Sequence, residues 1–176
     1  MSIKFALLGL LDDEPCGAGK LRQRFEDRTQ GIWPMNIGQV YQTIQRLDRD
    51  GLIEKTGTDT TSTRPADIYT TTEAGRAVLE QWWNEPTLRP RNDRDDLVIK
   101  IAVATVIRGV DSRELIQRQR EATMQELREI TLAKASIPPA RTAQRLLLER
   151  RIFDLEAEAR WLDHIETLAD PEGLRS

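Results

Sequence analysis

The most informative segment of the chain spans residues 36–52 and reads NIGQVYQTIQRLDRDGL. Apolar side chains recur in it at steps of three, four and three residues, so they share one stripe of an α-helix. The stripe consists of Ile37, Val40, Ile44 and Leu47. Asn36 is a favourable N-cap with Gln39 at the capping-box position, and Asp50-Gly51 is typical of a helix end. The segment predicts an amphipathic helix whose opposite face is rich in Gln, Thr and Arg.

The segments around this helix predict a small domain. Apolar spacing indicates helices over residues 3–11 and 18–28, with a turn at Pro15 between them. Two strands over 52–57 and 67–71 follow, joined by a long polar loop, and Thr71 or Thr72 then caps another helix. Three short helices followed by a hairpin are the layout of a winged helix-turn-helix, in which one helix enters the DNA major groove. Any small α+β domain could carry the same helix on its surface.

The second half of the chain predicts only helices. Pro86 and Pro90 mark a linker, which gives a first domain over 1–85, a linker over 86–92 and a helical domain over 93–176. The last helix is expected from about residue 140, where Pro139 is well placed to begin it, and carries a heptad-like stripe. The stripe consists of Leu148, Ile152, Leu155, Ala159, Leu162 and Ile165. The preceding helix, residues 112–135, has a broken heptad, so we expect a second chain to cover the stripe and make a homodimer.

Composition excludes several classes of protein. The 26 basic and 29 acidic side chains give a net charge of −3, so any DNA contact requires positive charge that is placed locally. A single Cys and a single His exclude a disulfide framework and a thiolate metal cage, and we predict no metal and no cofactor. No apolar run approaches the length of a membrane span. The first apolar segment ends in Asp12-Asp13-Glu14, unlike a signal peptide, and a cytoplasmic protein is expected.

Enzymatic activity is not expected. The sequence contains no nucleophile elbow, P-loop, dinucleotide fingerprint or H-E-x-x-H motif. A nucleophile and base drawn from Cys and His would have to be Cys16 and His164, which fall in different predicted domains. A lone Cys16 is expected to be an inert, partly buried residue, and a redox switch is the alternative.

Short motifs of the first half occur in a recognisable order. They are Gly38-Gln39-Val40-Tyr41, Arg46-Leu47-Asp48-Arg49-Asp50-Gly51-Leu52, Arg64-Pro65, Tyr69 and Thr72-Glu73-Ala74-Gly75-Arg76. Together they resemble the PadR family of transcriptional regulators. Lys100, Gln119-Arg120 and Trp161-Leu162 are similar to the C-terminal helical region of that family. Two departures stand out: Cys16-Gly17-Ala18 replaces a His-Gly-Tyr-like triplet, and Ala66-Asp67 stands where relatives often carry basic residues.

The resemblance implies a mainly α-helical protein with a small β-hairpin wing, acting as a homodimeric repressor on a palindromic operator. From position on the helix and wing, together with the family match, the candidate DNA-binding residues are Asn36, Gln39, Tyr41, Gln42, Thr43, Arg46 and Arg64. Short polar groups and arginines can read base edges or hold phosphates. The alternative is a helical protein-interaction adaptor whose winged helix binds protein, which the acidic balance favours.

A small aromatic effector is a further expectation, because some members of the family bind phenolic acids or planar drugs. Aromatic walls suit planar apolar ligands. The candidate effector-binding residues are Trp82, Trp83, Phe153 and Trp161. Their helical spacing equally favours packing in a core or a dimer.

Overall fold

The computed structural model describes residues 2–60, 65–88 and 95–168. The chain forms two compact units, Met1–Leu88 and Arg89–Ser176. Within the described residues the first unit contains α1 (Ser2–Asp13), α2 (Ala18–Arg28), α3 (Ile37–Arg49), β1 (Ile53–Asp59), β2 (Ala66–Thr71) and α4 (Glu73–Asn84). The second unit contains α5 (Asp96–Ala104), α6 (Ser112–Ala135) and α7 (Ala143–Glu166). The predicted class, mainly helical with one antiparallel hairpin, is confirmed.

Helix α3 begins as its sequence predicts. The Asn36 side chain accepts a hydrogen bond from the Gln39 backbone N–H at 2.8 Å, and the Gln39 side chain accepts one from the Asn36 N–H at 3.1 Å. This capping box satisfies two backbone donors that the helix itself leaves unpaired. The helix ends at Arg49 with Asp50 as its C-cap, and the next residue, Gly51, has a φ of +69°, a conformation that glycine adopts without steric cost.

The core of the first unit lies between α3 and the flanking helices. Three side chains of the predicted stripe, Val40, Ile44 and Leu47, are buried there with Leu7, Leu8, Leu11, Leu21 and Phe25. The prediction that Ile37 belongs to the buried stripe is wrong, because this side chain is 41% exposed. Ile37 is the first residue of α3 and precedes Val40, the first buried side chain of the helix, by three residues.

The hairpin places alternate side chains on one face of the sheet. Ile53 pairs with Thr71 and both are buried, and Lys55 pairs with Tyr69 further out. A bulge follows Lys55 in β1. Because side chains two residues apart share a face, Lys55, Tyr69 and Asp67 lie on the same side of the hairpin as the buried pair at its base.

The second unit buries its helical stripe within one chain. Ile152, Leu155 and Leu162 of α7 are buried, whereas Leu148, Ala159 and Ile165 are half-buried. The prediction that α6 cannot cover this stripe is wrong. Helix α6 packs along α7, Thr123 donates a hydrogen bond to Glu158 at 2.6 Å, and Arg151 pairs with Glu126 at 2.7 Å. These polar contacts compensate for the broken heptad of α6.

Helix α7 begins later than predicted. Its N-cap is Thr142, whose side chain accepts the Arg145 N–H at 3.2 Å, so Pro139 does not start the helix. The backbone of 138–142 forms turns, in which the Pro138 carbonyl accepts the Ala140 N–H. Across residues 2–60, 65–88 and 95–168, no helix combines the length and the apolar character that a membrane crossing requires.

Candidate nucleic-acid interface

The outer face of α3 is a polar surface opposite the buried stripe. Gln39, Gln42, Gln45 and Arg46 are all exposed on this side. The side chains of Gln42 and Arg46 form no hydrogen bond or ion pair with another residue of the described segments. Their amide and guanidinium groups are therefore available to an external partner. Gln45 was not among the predicted residues, although the helical periodicity that buries Ile44 already places its neighbour outside.

The two arginines of α3 differ in their partners. Arg49 pairs with Asp50 at 2.9 Å, and the same carboxylate receives Lys4 at 2.7 Å. Hydrogen bonds from Lys4 and Arg49 lower the pKa of Asp50, so the carboxylate stays charged and holds both cations. Arg46 has no such ion pair in the described part of the chain and keeps its full positive charge for another molecule.

The side chains of three predicted contact residues also form hydrogen bonds within α3. The side chains of Asn36 and Gln39 form the capping box, which leaves their NH₂ groups as the unused donors. The Thr43 hydroxyl donates to the Gln39 carbonyl at 2.8 Å, so it retains only acceptor capacity. Arg64, the predicted wing contact, lies outside the described residues.

Tyr41 lies on the side of α3 that faces the hairpin. It is 52% exposed and lines a cavity of about 180 Å³ with Ala18 of α2 and with Asp67 and Tyr69 of β2. Partial burial, followed by the charges of Asp67 and Asp48, raises the pKa of Tyr69 and keeps its hydroxyl protonated as a donor. Tyr41 and Tyr69 thus offer two hydroxyl groups along one groove between α3 and the wing.

The wing itself carries an internal ion pair. Lys55 Nζ lies 2.7 Å from an Asp67 carboxylate oxygen, and the Thr58 hydroxyl donates to the same oxygen at 3.3 Å. The hydrogen bond to Asp67 raises the pKa of Lys55, and the same bond lowers the pKa of Asp67. The sequence did not predict a role for Lys55 or Tyr69 at this surface, because only the strand register brings them to the Tyr41 side.

Cys16 is part of the domain core. It is 3% exposed and its backbone pairs with that of Tyr69. Burial raises the pKa of its thiol, the hydrogen bond from Arg24 acting in the opposite direction, so the reactive thiolate is disfavoured. Among the residues that the structure describes, no three His, Cys, Asp or Glu side chains form a group that could hold a metal ion.

The predicted aromatic effector residues are divided between the two units. In the first unit the ring of Trp82 stacks on Phe5, with ring centroids 5.6 Å apart. The ring centroids of Trp82 and Trp83 are 4.3 Å apart. Trp83 is 66% exposed. In the second unit Phe153 is also exposed, whereas Trp161 is half-buried.

Trp161 lines a cavity inside the second unit, and Trp82 lines one inside the first unit. The Trp161 cavity holds about 260 Å³ and is enclosed by α5, the start of α6 and the end of α7. Its walls include the apolar side chains of Ile101, Ile116 and Ile165, and Arg113 stands at its edge. Arg113 is exposed and has no ion pair among the described residues. The arrangement combines an aromatic wall with one cationic group, Arg113, and one carboxylate, that of Glu166, which is paired with Arg120.

Two family models match the sequence. The model described as the transcriptional regulator PadR-like family matches residues 7–81, and the model described as the virulence activator alpha C-terminal region matches residues 94–170. The negative transcriptional regulator PadR of Bacillus subtilis strain 168 is 22% identical over 128 residues, which cover 71% of this chain and 70% of that protein.

Solved structures share the fold. Bacillus subtilis PadR in complex with operator DNA superposes with a TM-score of 0.56 at 20% identity, covering 94% of this chain and 98% of that one. The same protein in complex with p-coumaric acid gives 0.58 at 19% identity, covering 94% and 97%. The Vibrio cholerae virulence activator AphA gives 0.51 at 19% identity, covering 93% and 95%. The motifs of the first unit, the family match that spans them and the shared winged-helix fold agree: residues 7–81 belong to the transcriptional regulator PadR-like family.

Proposed function

We propose that this regulator binds DNA sequence-specifically as a homodimer and represses transcription from a palindromic operator. The observation that carries the proposal is the outer face of α3, where the side chains of Gln42 and Arg46 are exposed and have no partner among the residues that the structure describes. In this assignment residues 1–85 bind DNA, 86–92 link the two domains and 93–176 make the dimer. The negative regulation and the operator complex known for Bacillus subtilis PadR support it.

The different contacts proposed for the side chains of α3 follow from the chemical groups that DNA presents in its major groove. A helix that enters the major groove meets base edges with its N-terminal half, and an amide such as that of Gln42 can donate to and accept from an adenine. The guanidinium of Arg46, one turn later, is suited to a guanine or a phosphate. Tyr41 and Tyr69 supply hydroxyl donors to the backbone that borders the groove.

The homodimer is supported by apolar surface that one chain leaves uncovered. In the second unit the exposed apolar side chains include Val98, Ile99, Val103, Leu132, Leu146, Leu147 and Phe153. Patches of this kind on soluble proteins mark interaction surfaces. We therefore place the dimer contact on these side chains, in contrast to the predicted Leu155 and Leu162, which are already buried within one chain. Two-fold pairing would present two recognition helices to two half-sites.

Arg46→Met tests the DNA contact, with Arg49→Met as the matched control on the same helix. We expect the Arg46 change to weaken binding to the DNA upstream of the gene by about tenfold, on the order of 1.4 kcal/mol. The Arg49 change should cost less, because Asp50 already holds that side chain. Fluorescence anisotropy at several salt concentrations measures both.

The same assay separates base reading from backbone contact. Gln42→Ala should change the ranking of operator variants, whereas a phosphate contact would weaken all sequences alike. Wild-type protein that binds no duplex even at low salt would contradict the proposed function and favour a protein partner. Equal affinities for Arg46→Met and wild type would remove this face of α3 from the interface.

The Trp161 cavity is the proposed effector site. Its 260 Å³ lies slightly below the usual range of ligand pockets, about 300 Å³ and above, so it suits a single-ring compound. Arg113 can pair with a carboxylate on that ring, because Glu166, the acidic residue of the lining, is already paired with Arg120. The complex of Bacillus subtilis PadR with p-coumaric acid supports this ligand class.

Titration with p-coumaric acid tests the effector site. We expect saturable quenching of tryptophan fluorescence that Trp161→Phe abolishes and Trp82→Phe retains, because only Trp161 lines this cavity. Arg113→Met should weaken the binding by about tenfold through loss of a charged hydrogen bond. Quenching that survives Trp161→Phe would place the ligand elsewhere.

A further inference from the structure

The ion pair on the wing occupies the one basic side chain of β1. Lys55 and Asp67 have side chains 51% and 44% exposed, and their charged atoms are 2.7 Å apart. The Thr58 hydroxyl also donates to the carboxylate, at 3.3 Å, and helps to orient it toward β1. The pair is therefore formed in contact with solvent, where such pairs are weak and can exchange partners.

The pair lies on the side of the hairpin that faces α3. Lys55 is opposite Tyr69 in the strand register, and Asp67 lines the same small cavity as Tyr69 and Tyr41. This groove borders the outer face of α3. If α3 enters the major groove, as the proposed function requires, the phosphates that flank it run along this side of the hairpin.

We propose that Asp67 lowers the affinity of the wing for DNA by holding Lys55 in an intramolecular ion pair that a phosphate has to displace. Lys55 is then a phosphate-binding residue, and Asp67 determines how strongly it binds the phosphate. The inference rests on the proposed DNA binding. It adds Asp67 as a residue that weakens the binding of DNA. Asp67 also opposes an approaching phosphate by its own negative charge, and the two effects can be separated by experiment.

The consequence is independent of DNA sequence. Phosphate contacts contribute to binding of every duplex and account for its salt dependence. A lysine already neutralised by a carboxylate releases fewer counterions from the DNA when it binds. Asp67 therefore reduces the affinity for all sequences together and leaves the ranking of operators, set by α3, unchanged.

Asp67→Asn in the full-length chain tests the inference. With a mixed-sequence duplex about three helical turns long, we expect about threefold tighter binding per protomer, the scale of an exposed ion pair. Between about 50 and about 200 mM NaCl the slope of log K against log salt should steepen by about 0.9 for each Lys55 released. The matched control is Glu54→Gln, which removes one exposed negative charge from the adjacent position, on the opposite face of β1.

A double-mutant cycle with Lys55→Met identifies the route of the effect. Most of the gain from Asp67→Asn should be lost in the Lys55→Met background, because no lysine remains to be released and only the repulsion by the carboxylate itself is relieved. A gain that persists there in full, or one that Glu54→Gln reproduces, would show that simple loss of negative charge is sufficient and would overturn the inference. So would an Asp67→Asn protein that binds with wild-type affinity and slope. Wild-type protein that binds no duplex would instead overturn the proposed function itself.

Discussion

Gly75→Ala is expected to lower the free energy of unfolding of the first unit by about 3 kcal/mol or more, a severe case of overpacking. A methyl group at this position would lie 2.1 Å from the Leu52 carbonyl oxygen and 2.7 Å from the Thr71 methyl group. The Leu52 oxygen also accepts the Thr72 N–H, so it cannot move without breaking the cap of α4. The gain in helix propensity, about 1 kcal/mol, does not compensate.

Urea unfolding followed by tryptophan fluorescence measures this effect. Gly19→Ala is the matched control, since Gly19 lies in α2 with no atom within 4 Å of the added methyl group. We expect that variant to be as stable as wild type or more stable by up to about 1 kcal/mol. If both alanine variants have wild-type stability, the close approach of α4 to Leu52 is not present in solution.

Leu155→Glu is expected to unfold the second unit, not merely to separate two protomers. Leu155 is 1% exposed between α6 and α7, within a single chain. The substitution removes a buried leucine side chain and places a carboxylate in its position, which together cost about 4 kcal/mol or more. Circular dichroism should show loss of helix at a lower denaturant concentration than for wild type.

Phe153→Glu provides the comparison, two residues away on α7 with a side chain 63% exposed. It adds the same charge without opening a core, so the fold should remain while sedimentation shows weaker self-association. Leu155→Glu protein that keeps its helices and its stability would contradict the intramolecular packing of α6 on α7. Phe153→Glu protein that stays dimeric would exclude this part of α7 from the dimer contact.

Local interactions explain why so much of the first unit could be predicted. The capping box of Asn36 and Gln39, the end of α3 before Gly51 and the cap of α4 at Thr72 each depend on residues within a few positions of one another. Apolar periodicity likewise reports which face a helix buries, without information about its neighbour. The order of helices and strands, and the exposed Gln42 and Arg46, follow from these local rules.

Long-range pairing was not predictable from the same signals. The stripe on α7 shows that Leu155 and Leu162 need cover, but the pattern is identical whether the cover is α6 or a second chain. The TEAGR motif contains Gly75 without showing that the Leu52 carbonyl occupies the space of a side chain.

The ion pair on the wing was likewise not predictable from the sequence. Lys55 and Asp67 are twelve positions apart in sequence, and only the register and bulge of the hairpin bring their charged atoms to 2.7 Å. Sequence patterns record what each residue requires of its immediate surroundings. The choice of partner depends on which segments meet in space, because Coulomb attraction, steric exclusion and apolar burial all act over a few ångströms regardless of separation along the chain.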